Sequence, residues 1–302
     1  MQFETYAPPK FPLAHVPPSI FETEVPRLLQ PYQRTTTSPY FPARFADAVS
    51  VLGVGITNID EPSAIQLLTQ MLSTDDGVHR PVYYANAHTC NCATDDPAFR
   101  DVLNAAFRVF GDGTGVRWAA KTQGIRMRAN LNGTDLIPRL LTETAGQGFT
   151  YYLLGSDELN LQGAVDFATV NYPGWKLVGQ HHGFVQGDRA APVIDDINRV
   201  RPHLLLVGMG NPLQEQWIHR HRDALRVRVS MGVGGLIDRW AGTLVRAAPW
   251  IRALGFEWLD ILRRQPHKWR RYVLGNPKFL TNMVLSRRSD SEQTRRWANE
   301  LL

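Results

Sequence analysis

Two apolar strands that end in glycines, both within residues 203–242, constrain the fold more than any other stretch of this sequence. The first strand, residues 203–207, leads into GMGNP, and the second, residues 227–231, leads into GVGG. A helix with Gln214 and Glu215 in its first turn joins them. Parallel strands joined in this way place their carboxyl ends at one edge of a sheet, where glycine turns present bare backbone N–H groups beside helix N-termini. Such an edge suits a phosphate or a diphosphate.

The same alternation of strand and helix continues through most of the chain. Further apolar segments predict strands at residues 51–56, 81–86, 108–110, 149–154 and from 176 onward. Helical patterns lie between them, at about residues 61–72, 97–106, 116–121, 135–144, 157–171 and 191–199. We therefore expect an α/β fold: a Rossmann-like, doubly wound, mostly parallel sheet. Ligands of such sheets bind beyond the strand carboxyl ends, where the chain carries Asn86, Asp112, Gly155, Gly183, Gly210 and Gly232.

Composition changes at both ends of this alternating region and predicts three parts. Residues 1–45 are rich in Pro, Thr and Tyr and are expected to be an extension without chemistry of its own. Residues 46–245 are expected to form the α/β core, and residues 246–302 a helical, basic appendage. Residues 263–288 contain eight Lys or Arg and no Asp or Glu, which favours an anionic partner over a merely solvated helix face. The tail from Ser289 onward is expected to be a loosely held helix.

Cysteine usage and the length of apolar runs limit the cellular context. The two cysteines, Cys90 and Cys92, are poorly spaced for a disulfide and too few for a metal site, so we expect reduced thiols. No run approaches the roughly 18 apolar residues that span a bilayer, and the N-terminus lacks the pattern of a signal peptide. We therefore expect a cytoplasmic protein whose contact with a membrane is peripheral.

Asp112 is the strongest candidate for chemistry, because it lies between two glycines directly after an apolar strand. A carboxylate in such a turn can approach a substrate closely and act as a general base on a hydroxyl. The alternative is an aspartate that caps a helix or closes a turn. Comparable alternatives hold for Asn86 as a turn residue, and for Gln214 and Glu215 in the first turn of a helix.

Metal binding is not indicated by the sequence. His181 and His182 are adjacent, but no third ligand occurs at a recognisable spacing. The three Asp-Asp pairs lie near expected helix starts, where carboxylates are common, and none forms a D-x-D motif. We therefore expect neither a metal nor another cofactor.

Eight motifs follow one another over residues 51–280. They are NAH at Asn86, GDGTGV at Asp112, NGTDL at Gly133, LLGS at Gly155, HHGF at Gly183, GMGNPLQEQWI at Gly208, GVGGLIDRWAG at Gly232 and GFEWLDILRRQPHKWRRYVLGNPKFL at Gly255. Together they resemble the WecG/TagA/CpsF glycosyltransferases, also called glycosyltransferase family 26. The resemblance implies an inverting, metal-independent enzyme that moves a sugar from a UDP-sugar to a polyprenyl-diphosphate-linked saccharide. It also implies a role in the synthesis of cell-surface polysaccharides and peripheral contact with an anionic membrane, on the cytoplasmic face of the plasma membrane. No nucleic-acid partner is implied, and whether the protein forms a homo-oligomer is left open.

The resemblance further assigns roles to individual residues. Asp112 matches the proposed catalytic base, and Asn86 and Gln214 match residues that line the reaction centre. The expected ligands of the nucleotide-sugar lie in the strand-end loops: Gly155, Gly183, Gly208, Gly210, Pro212, Glu215, Gly232, Gly234, Gly235 and Asp238. The expected contacts to the acceptor diphosphate and the membrane are arginines of the appendage: Arg246, Arg263, Arg270 and Arg271.

The sequence departs from the family pattern at two positions near the expected centre. Tyr84 stands where members often carry threonine, and Asn130 where an arginine is common, which leaves the identity of the donor and acceptor open.

Two other functional classes fit parts of the chain. A Rossmann-type oxidoreductase would explain the sheet, but the GVG at residues 53–55 lacks the third glycine of the dinucleotide fingerprint. A non-catalytic protein that binds anionic membranes or nucleic acid would explain the basic block alone.

Overall fold

The computed structural model describes residues 47–244, 269 and 273–299. Within them, eight strands form one sheet in the order β1-β2-β4-β3-β8-β7-β5-β6. The strands are Ala48–Val51 (β1), Val54–Thr57 (β2), Arg80–Ala85 (β3), Arg108–Gly111 (β4), Thr150–Gly155 (β5), Lys176–His181 (β6), Leu204–Gly208 (β7) and Val229–Gly232 (β8). β1 pairs antiparallel with β2, and every other neighbouring pair is parallel. The expected mostly parallel α/β sheet is confirmed.

Ten α-helices of the described residues accompany these strands. They are Glu61–Ser73 (α1), Ala87–Asp95 (α2), Pro97–Asn104 (α3), Thr114–Thr122 (α4), Gly133–Glu143 (α5), Glu158–Asn171 (α6), Ala190–Val200 (α7), Leu213–His221 (α8), Leu236–Trp240 (α9) and Gly275–Asn299 (α10). Several begin at a capping side chain that accepts a backbone N–H three residues further on, as Asp60, Asn132 and Asp157 do. The local sequence therefore fixes where these helices start.

The apolar core is divided into two layers, because successive residues of a buried strand point to opposite faces of the sheet. Tyr83 and Tyr84 are neighbours on β3, yet they belong to different layers. The layer of Tyr83 packs against α2, α3, α4, α7 and α8, and the layer of Tyr84 packs against α1, α5, α6 and α9. Helices thus cover both faces, and the sheet is doubly wound as expected.

The connections that leave β5 and β7 run to opposite faces of the sheet. The chain leaves β5 through α6 on one face and leaves β7 through α8 on the other. Since β5 and β7 are hydrogen-bonded neighbours, a crevice opens between their carboxyl ends. Doubly wound sheets bind their ligands at this kind of position.

Two local predictions differ from the structure. The single strand expected over residues 51–56 is a hairpin, because Leu52 and Gly53 have φ values of 51° and 77° and reverse the chain. In addition, the structure has a helix that the sequence did not predict, α2, directly before the helix expected at residues 97–106. Its sequence, AHTCNCATD, is poor in strong helix formers, and the helix starts because the side chain of Asn86 caps it.

A buried carboxylate holds α10 to the core, which corrects the expectation of a loosely held tail from Ser289 onward. Asp290 is only 5% exposed and accepts hydrogen bonds from the N–H groups of Leu52 at 3.0 Å and Gly53 at 2.9 Å. The same helix buries Trp297. The C-terminal helix is therefore part of the packed structure.

The other parts of the predicted domain division fall largely outside the description. Residues 1–46 and 245–268 lie outside the described residues, as do 270–272 and 300–302. The N-terminal extension and about half of the appendage therefore stay predictions.

Candidate active site

The ends of six strands lie side by side along the carboxyl edge of the sheet. In spatial order they carry Asp112 after β4, Asn86 after β3, Gly232 on β8, Gly208 on β7, Gly155 on β5 and Gly183 after β6. Neighbouring strands lie about 4.8 Å apart, so β4 is roughly 10 Å from β8 and roughly 14 Å from β7. The topology therefore brings the expected base and the glycine loops to one edge.

Backbone contacts hold Asp112 at the tip of β4. Its N–H donates to the carbonyl oxygen of Ala85 at 2.9 Å, and the N–H of Gly113 donates to Asn130 Oδ1 at 2.6 Å. Asn86 Nδ2 donates to Asp112 Oδ2 at 3.4 Å. Two helices, α2 and α4, begin within two residues of this pair, and helix N-termini favour a negative charge. The half-buried carboxylate is thus fixed in a position where it can accept a proton.

The amide of Asn86 is oriented by the helix that it caps. Its Oδ1 accepts hydrogen bonds from the N–H groups of His88 at 3.0 Å and Thr89 at 3.1 Å. Because the oxygen faces the start of α2, the amide nitrogen is directed towards Asp112. Asn86 is therefore a helix cap, not the plain turn residue that the sequence leaves open, and it also contacts the carboxylate of Asp112.

Gln214 lies beneath the loops that follow β7 and β8. It is 4% exposed, and its Oε1 accepts the N–H of Gly210 at 3.2 Å and that of Gly234 at 2.9 Å. Its Nε2 donates to Glu215 Oε1 at 2.8 Å. A Cβ at Gly232 would lie 2.9 Å from Nε2, so the side chain also needs glycine at the end of β8. Gln214 therefore clamps two loops together, and a role at the reaction centre stays a prediction.

This clamp corrects the expectation that both loops offer bare amides. The N–H groups of Gly210 and Gly234 already donate to Gln214, so they are directed away from a ligand. The two glycines have φ values of 83° and 54°, a conformation that favours glycine. A Cβ at either would meet no atom of the described residues within 4 Å. What the two glycines provide is open space beside the loops.

Glu215 is fully buried behind the same loops. Burial raises the pKa of its carboxyl to about 7, although the hydrogen bond from Gln214 opposes the rise. The amide of Asn211 also lies near enough to favour the ionised form, but its polar atoms and Glu215 Oε2 have no hydrogen-bond partner of normal geometry among the described residues. The direct contact with a nucleotide suggested by the sequence is therefore not available to Glu215, and its influence passes through Gln214.

Glycines allow the loops after β5, β6 and β7 to touch. The N–H of Ser156 donates to the Gly208 carbonyl at 3.0 Å, and the N–H of Gly183 donates to the Ser156 carbonyl at 2.8 Å. A Cβ at Gly155 would overlap the Gly208 carbonyl, and a Cβ at Gly183 would lie 3.1 Å from the Gly155 Cα. Side chains are excluded from these contacts, so the crevice has a continuous floor of backbone.

The remaining expected ligands border this floor. Ser156 Oγ donates to Asp238 Oδ1 at 2.5 Å and so links the end of β5 to α9. Gly235 is a packing position, because a Cβ there would lie 2.8 Å from Leu244 Cδ2. Pro212 follows a cis peptide bond and directly precedes α8. Of this group, the half-buried Asp238 presents a polar side chain at the crevice.

Three side chains at this edge were not among the expected site residues. Asn130 holds the loop of Asp112, Ser156 combines a φ of 56° with its hydrogen bond to Asp238, and Tyr84 buries a hydroxyl on the strand beside Asp112. The LLGS motif contained a signal for Ser156, since a serine directly after a strand-end glycine lies at the edge. Tyr84 and Asn130 were visible only as departures from the family pattern.

The basic block is described in part. Outside the described residues lie the four arginines expected at the acceptor: Arg246, Arg263, Arg270 and Arg271. In the described part, Lys278 forms an ion pair with Asp95 at 2.5 Å, and Arg287 and Arg288 are exposed.

Among the described residues, the side chains form no cluster suited to a metal ion, and the helices include none suited to span a membrane. The described part of the chain contains no group of three His, Cys, Asp or Glu side chains arranged to hold a metal ion. The rings of His181 and His182 are 4.2 Å apart, and His181 Nδ1 is hydrogen-bonded to the His182 carbonyl. Of the helices that the structure describes, none combines the length and apolar composition needed to cross a membrane.

A doubly wound sheet with interlocked glycine loops at its switch point, and a held carboxylate on the same edge, is typical of α/β enzymes that act on phosphorylated ligands. The model of the glycosyl transferase WecG/TagA/CpsF family matches residues 49–293. The chain belongs to this family, and the expected enzyme class, a hexosyltransferase, is confirmed.

Curated relatives agree in their names. The chain is 29% identical over 210 residues to the N-acetylglucosaminyldiphosphoundecaprenol N-acetyl-beta-D-mannosaminyltransferase of Bacillus subtilis (strain 168), a match over 70% of this chain and 81% of that protein. A protein of the same name from Bacillus spizizenii is 28% identical, over 66% of this chain and 77% of that protein. The one from Staphylococcus aureus (strain NCTC 8325) is also 28% identical, over 70% of this chain and 82% of that protein. These matches favour a transferase over the oxidoreductase and over the non-catalytic binding protein.

Proposed function

We propose that this protein transfers a sugar from a UDP-sugar to a polyprenyl-diphosphate-linked saccharide, with inversion at the anomeric carbon and without a metal ion. The product would serve the synthesis of a cell-surface polysaccharide. The observation that carries the proposal is the placement of Asp112, held by Asn86, on the same sheet edge as the glycine loops of β8, β7 and β5. The relatives, named as mannosaminyltransferases acting on an undecaprenyl-diphosphate-linked sugar, support the choice of acceptor.

The strand order supports a particular arrangement of the donor. The nucleotide would lie at the crevice between β5 and β7 with its diphosphate along the clamped loops of β7 and β8, and Asp112 lies at the far side of β3. Roughly 10–14 Å separate β4 from the strands that carry the loops, which leaves room for one sugar ring between base and diphosphate. The transferred sugar would therefore lie over the tip of β3.

The chemistry is a single displacement. Asp112 removes the proton of an acceptor hydroxyl while the hydroxyl oxygen forms a bond to the anomeric carbon. The bond between that carbon and the diphosphate oxygen breaks, and UDP leaves with the electron pair. Attack from the face opposite the leaving group inverts the configuration, whereas retention would need a carboxylate that acts as a nucleophile. The Nδ2 of Asn86 would keep the carboxylate aimed at the acceptor.

The leaving diphosphate needs compensation for its charge. Because Gln214 uses the N–H groups of Gly210 and Gly234, we assign this task to the N-terminus of α8 and to the arginines of the appendage. The clamp would keep the two loops at the spacing that a diphosphate requires. Metal-free catalysis follows from this assignment, since backbone dipoles and guanidinium groups supply the positive charge.

A surface of α10 supports peripheral contact with an anionic membrane on the cytoplasmic face. Val284 is 65% exposed and Leu285 is 77% exposed, and the exposed Arg287 and Arg288 follow within one turn. Apolar side chains that can enter an interface, next to cations that can meet lipid phosphates, are typical of peripheral attachment. The acceptor, a membrane lipid, would be reached from this side.

The proposal is tested by assaying transfer directly. Purified protein is incubated with a panel of UDP-sugars and a short-chain prenyl-diphosphate-linked N-acetylglucosamine, and the products are identified by mass spectrometry. Asp112→Asn should lower transfer by roughly 10²- to 10⁴-fold, since it removes the base, while calorimetric binding of UDP is retained. Transfer that survives this substitution would contradict the assignment of the base.

A matched control uses a second aspartate that lies outside the proposed chemistry. Asp60 caps α1 by accepting the N–H of Ser63 at 2.9 Å, and asparagine caps a helix about as well. Asp60→Asn should therefore leave transfer unchanged. The same assay with EDTA tests metal independence: activity that is lost with the chelator and restored by a divalent cation would refute that part of the proposal alone.

A further inference from the structure

Tyr84 carries a buried hydroxyl next to the proposed reaction centre. The side chain is 9% exposed, and its Oη has no hydrogen-bond partner among the described residues. Polar groups buried in proteins are nearly always hydrogen-bonded, because an unpaired one loses its interactions with water without replacement. A hydroxyl of this kind at a ligand-binding edge therefore points to a partner that arrives with the ligand.

The strand register places this hydroxyl on the same face of the sheet as Asp112. Tyr84 lies directly opposite Phe110 on β4, with ring centroids 6.0 Å apart. Asp112 follows Phe110 by two residues, and residues two apart on a strand point to the same face. Burial, and after it the charge of Asp112, raises the pKa of the Tyr84 hydroxyl, so the phenol keeps its proton and can donate.

The ring of Tyr84 is held in place by the start of α5. A Cβ at Gly133 would lie 3.0 to 3.3 Å from three atoms of this ring, so the helix approaches the ring closely and leaves it little room to move. Phe110 packs against the ring from the neighbouring strand. The hydroxyl is therefore positioned by contacts on two sides.

We infer that the hydroxyl of Tyr84 forms a hydrogen bond with a polar substituent of the transferred sugar and so contributes to the choice of donor. The inference rests on the proposed function, because it needs a sugar between Asp112 and the glycine loops. β3 lies between β4, which carries the base, and β8, which carries the first glycine loop. The tip of β3 is thus beneath the sugar and not beneath the nucleotide.

The test compares two ligands that differ only in the sugar. Tyr84→Phe removes the hydroxyl and keeps the ring. Affinity for the UDP-sugar donor, measured by calorimetry, and kcat/KM for transfer should each fall by about 2- to 12-fold, the range expected for the loss of one neutral hydrogen bond. Affinity for UDP, which has no sugar, should stay at the wild-type value. The thermal stability of the free protein should be unchanged or higher, because a buried hydroxyl without a partner is removed.

A matched control is available on β5. Tyr151 is fully buried and its hydroxyl also has no hydrogen-bond partner among the described residues, but it lies at the amino end of its strand and packs against Trp175. Tyr151→Phe should resemble Tyr84→Phe in its effect on thermal stability. It should change neither the affinity for the UDP-sugar nor kcat/KM.

Two results would overturn the inference. If Tyr84→Phe keeps the wild-type affinity for the UDP-sugar and the wild-type kcat/KM, the hydroxyl does not bind the sugar. If affinity for UDP falls as much as affinity for the UDP-sugar, Tyr84 acts on the nucleotide. Failure of the proposed function gives a different result, since the wild-type protein would then bind and transfer no sugar of the panel.

Discussion

Replacing Gln214 by methionine should release the two glycine loops from each other. The side chain keeps its length, but three hydrogen bonds disappear: two from the N–H groups of Gly210 and Gly234, and one to Glu215. Each loop N–H can turn to water, so its loss costs about 1 kcal/mol, whereas the fully buried carboxyl of Glu215 loses its donor at a cost of about 1–3 kcal/mol. The free energy of unfolding should fall by about 3–5 kcal/mol, and Tm by roughly 10 °C.

The assay separates this loss of stability from the effect on the ligand. UDP affinity of Gln214→Met, measured by calorimetry well below its Tm, should weaken about tenfold, because loops that move must be ordered again on binding. The control is Gln123→Met. Gln123 donates to the Ser50 carbonyl at 2.7 Å and accepts from Thr294 Oγ1 at 3.2 Å, away from the strand-end loops. It should lose stability and keep UDP affinity.

Wild-type UDP affinity in Gln214→Met would refute this reasoning. The loops would then hold their spacing without the amide, and Gln214 would act only on the stability of the core. Equal losses of UDP affinity in both variants would refute it as well, since the effect would then follow general destabilisation.

Two further predictions concern buried carboxyl groups. In the folded protein the pKa of Glu215 is about 7, against 4.5 for an ordinary glutamate. Between pH 4.5 and 7 the folded chain therefore holds a proton that the unfolded chain has lost. The free energy of unfolding should fall by about 3 kcal/mol as pH rises through that window. Glu215→Gln should remove this decline in urea unfolding curves, and an identical pH dependence in both proteins would contradict the prediction. Asp290→Ala should lower the free energy of unfolding by about 3–5 kcal/mol, because the N–H groups of Leu52 and Gly53 and the hydroxyl of Ser50 lose their acceptor. Hydrogen exchange should then rise in α10 before the rest of the core, and unchanged protection of α10 would show that its apolar contacts alone suffice.

Regular elements were predictable where the signal is local. The strands of residues 204–208 and 229–232 are short apolar runs with glycine at their ends, and Asp60 and Asp157 mark helix starts by capping. Their positions follow from periodicity and capping, which act over a few residues. The sheet edge followed from the alternation of strands and helices. The sequence could therefore indicate which loops meet, although not what their side chains do there.

Features that depend on distant contacts were not predictable in the same way. Leu52 is an apolar residue in an apolar run, and its left-handed turn is bound by Asp290, 238 positions further along the chain. Gln214 looks like a first-turn polar residue, yet its partner Gly234 belongs to the next strand-end loop. Such hydrogen bonds form only after the sheet has assembled, so no local sequence pattern predicts them. The N–H groups of the loops were for this reason expected to be bare.

The middle position of β3 in the sheet separates two requirements of a transferase. The proposed base, Asp112, directly follows β4 and the first glycine loop follows β8, while β3 is joined to both strands through backbone ladders that do not depend on its side chains. Residues at its tip could thus be exchanged during evolution to admit a different hexose, and the two reacting partners would keep their separation. On the proposed arrangement, a change of donor would therefore need substitutions at one strand end alone.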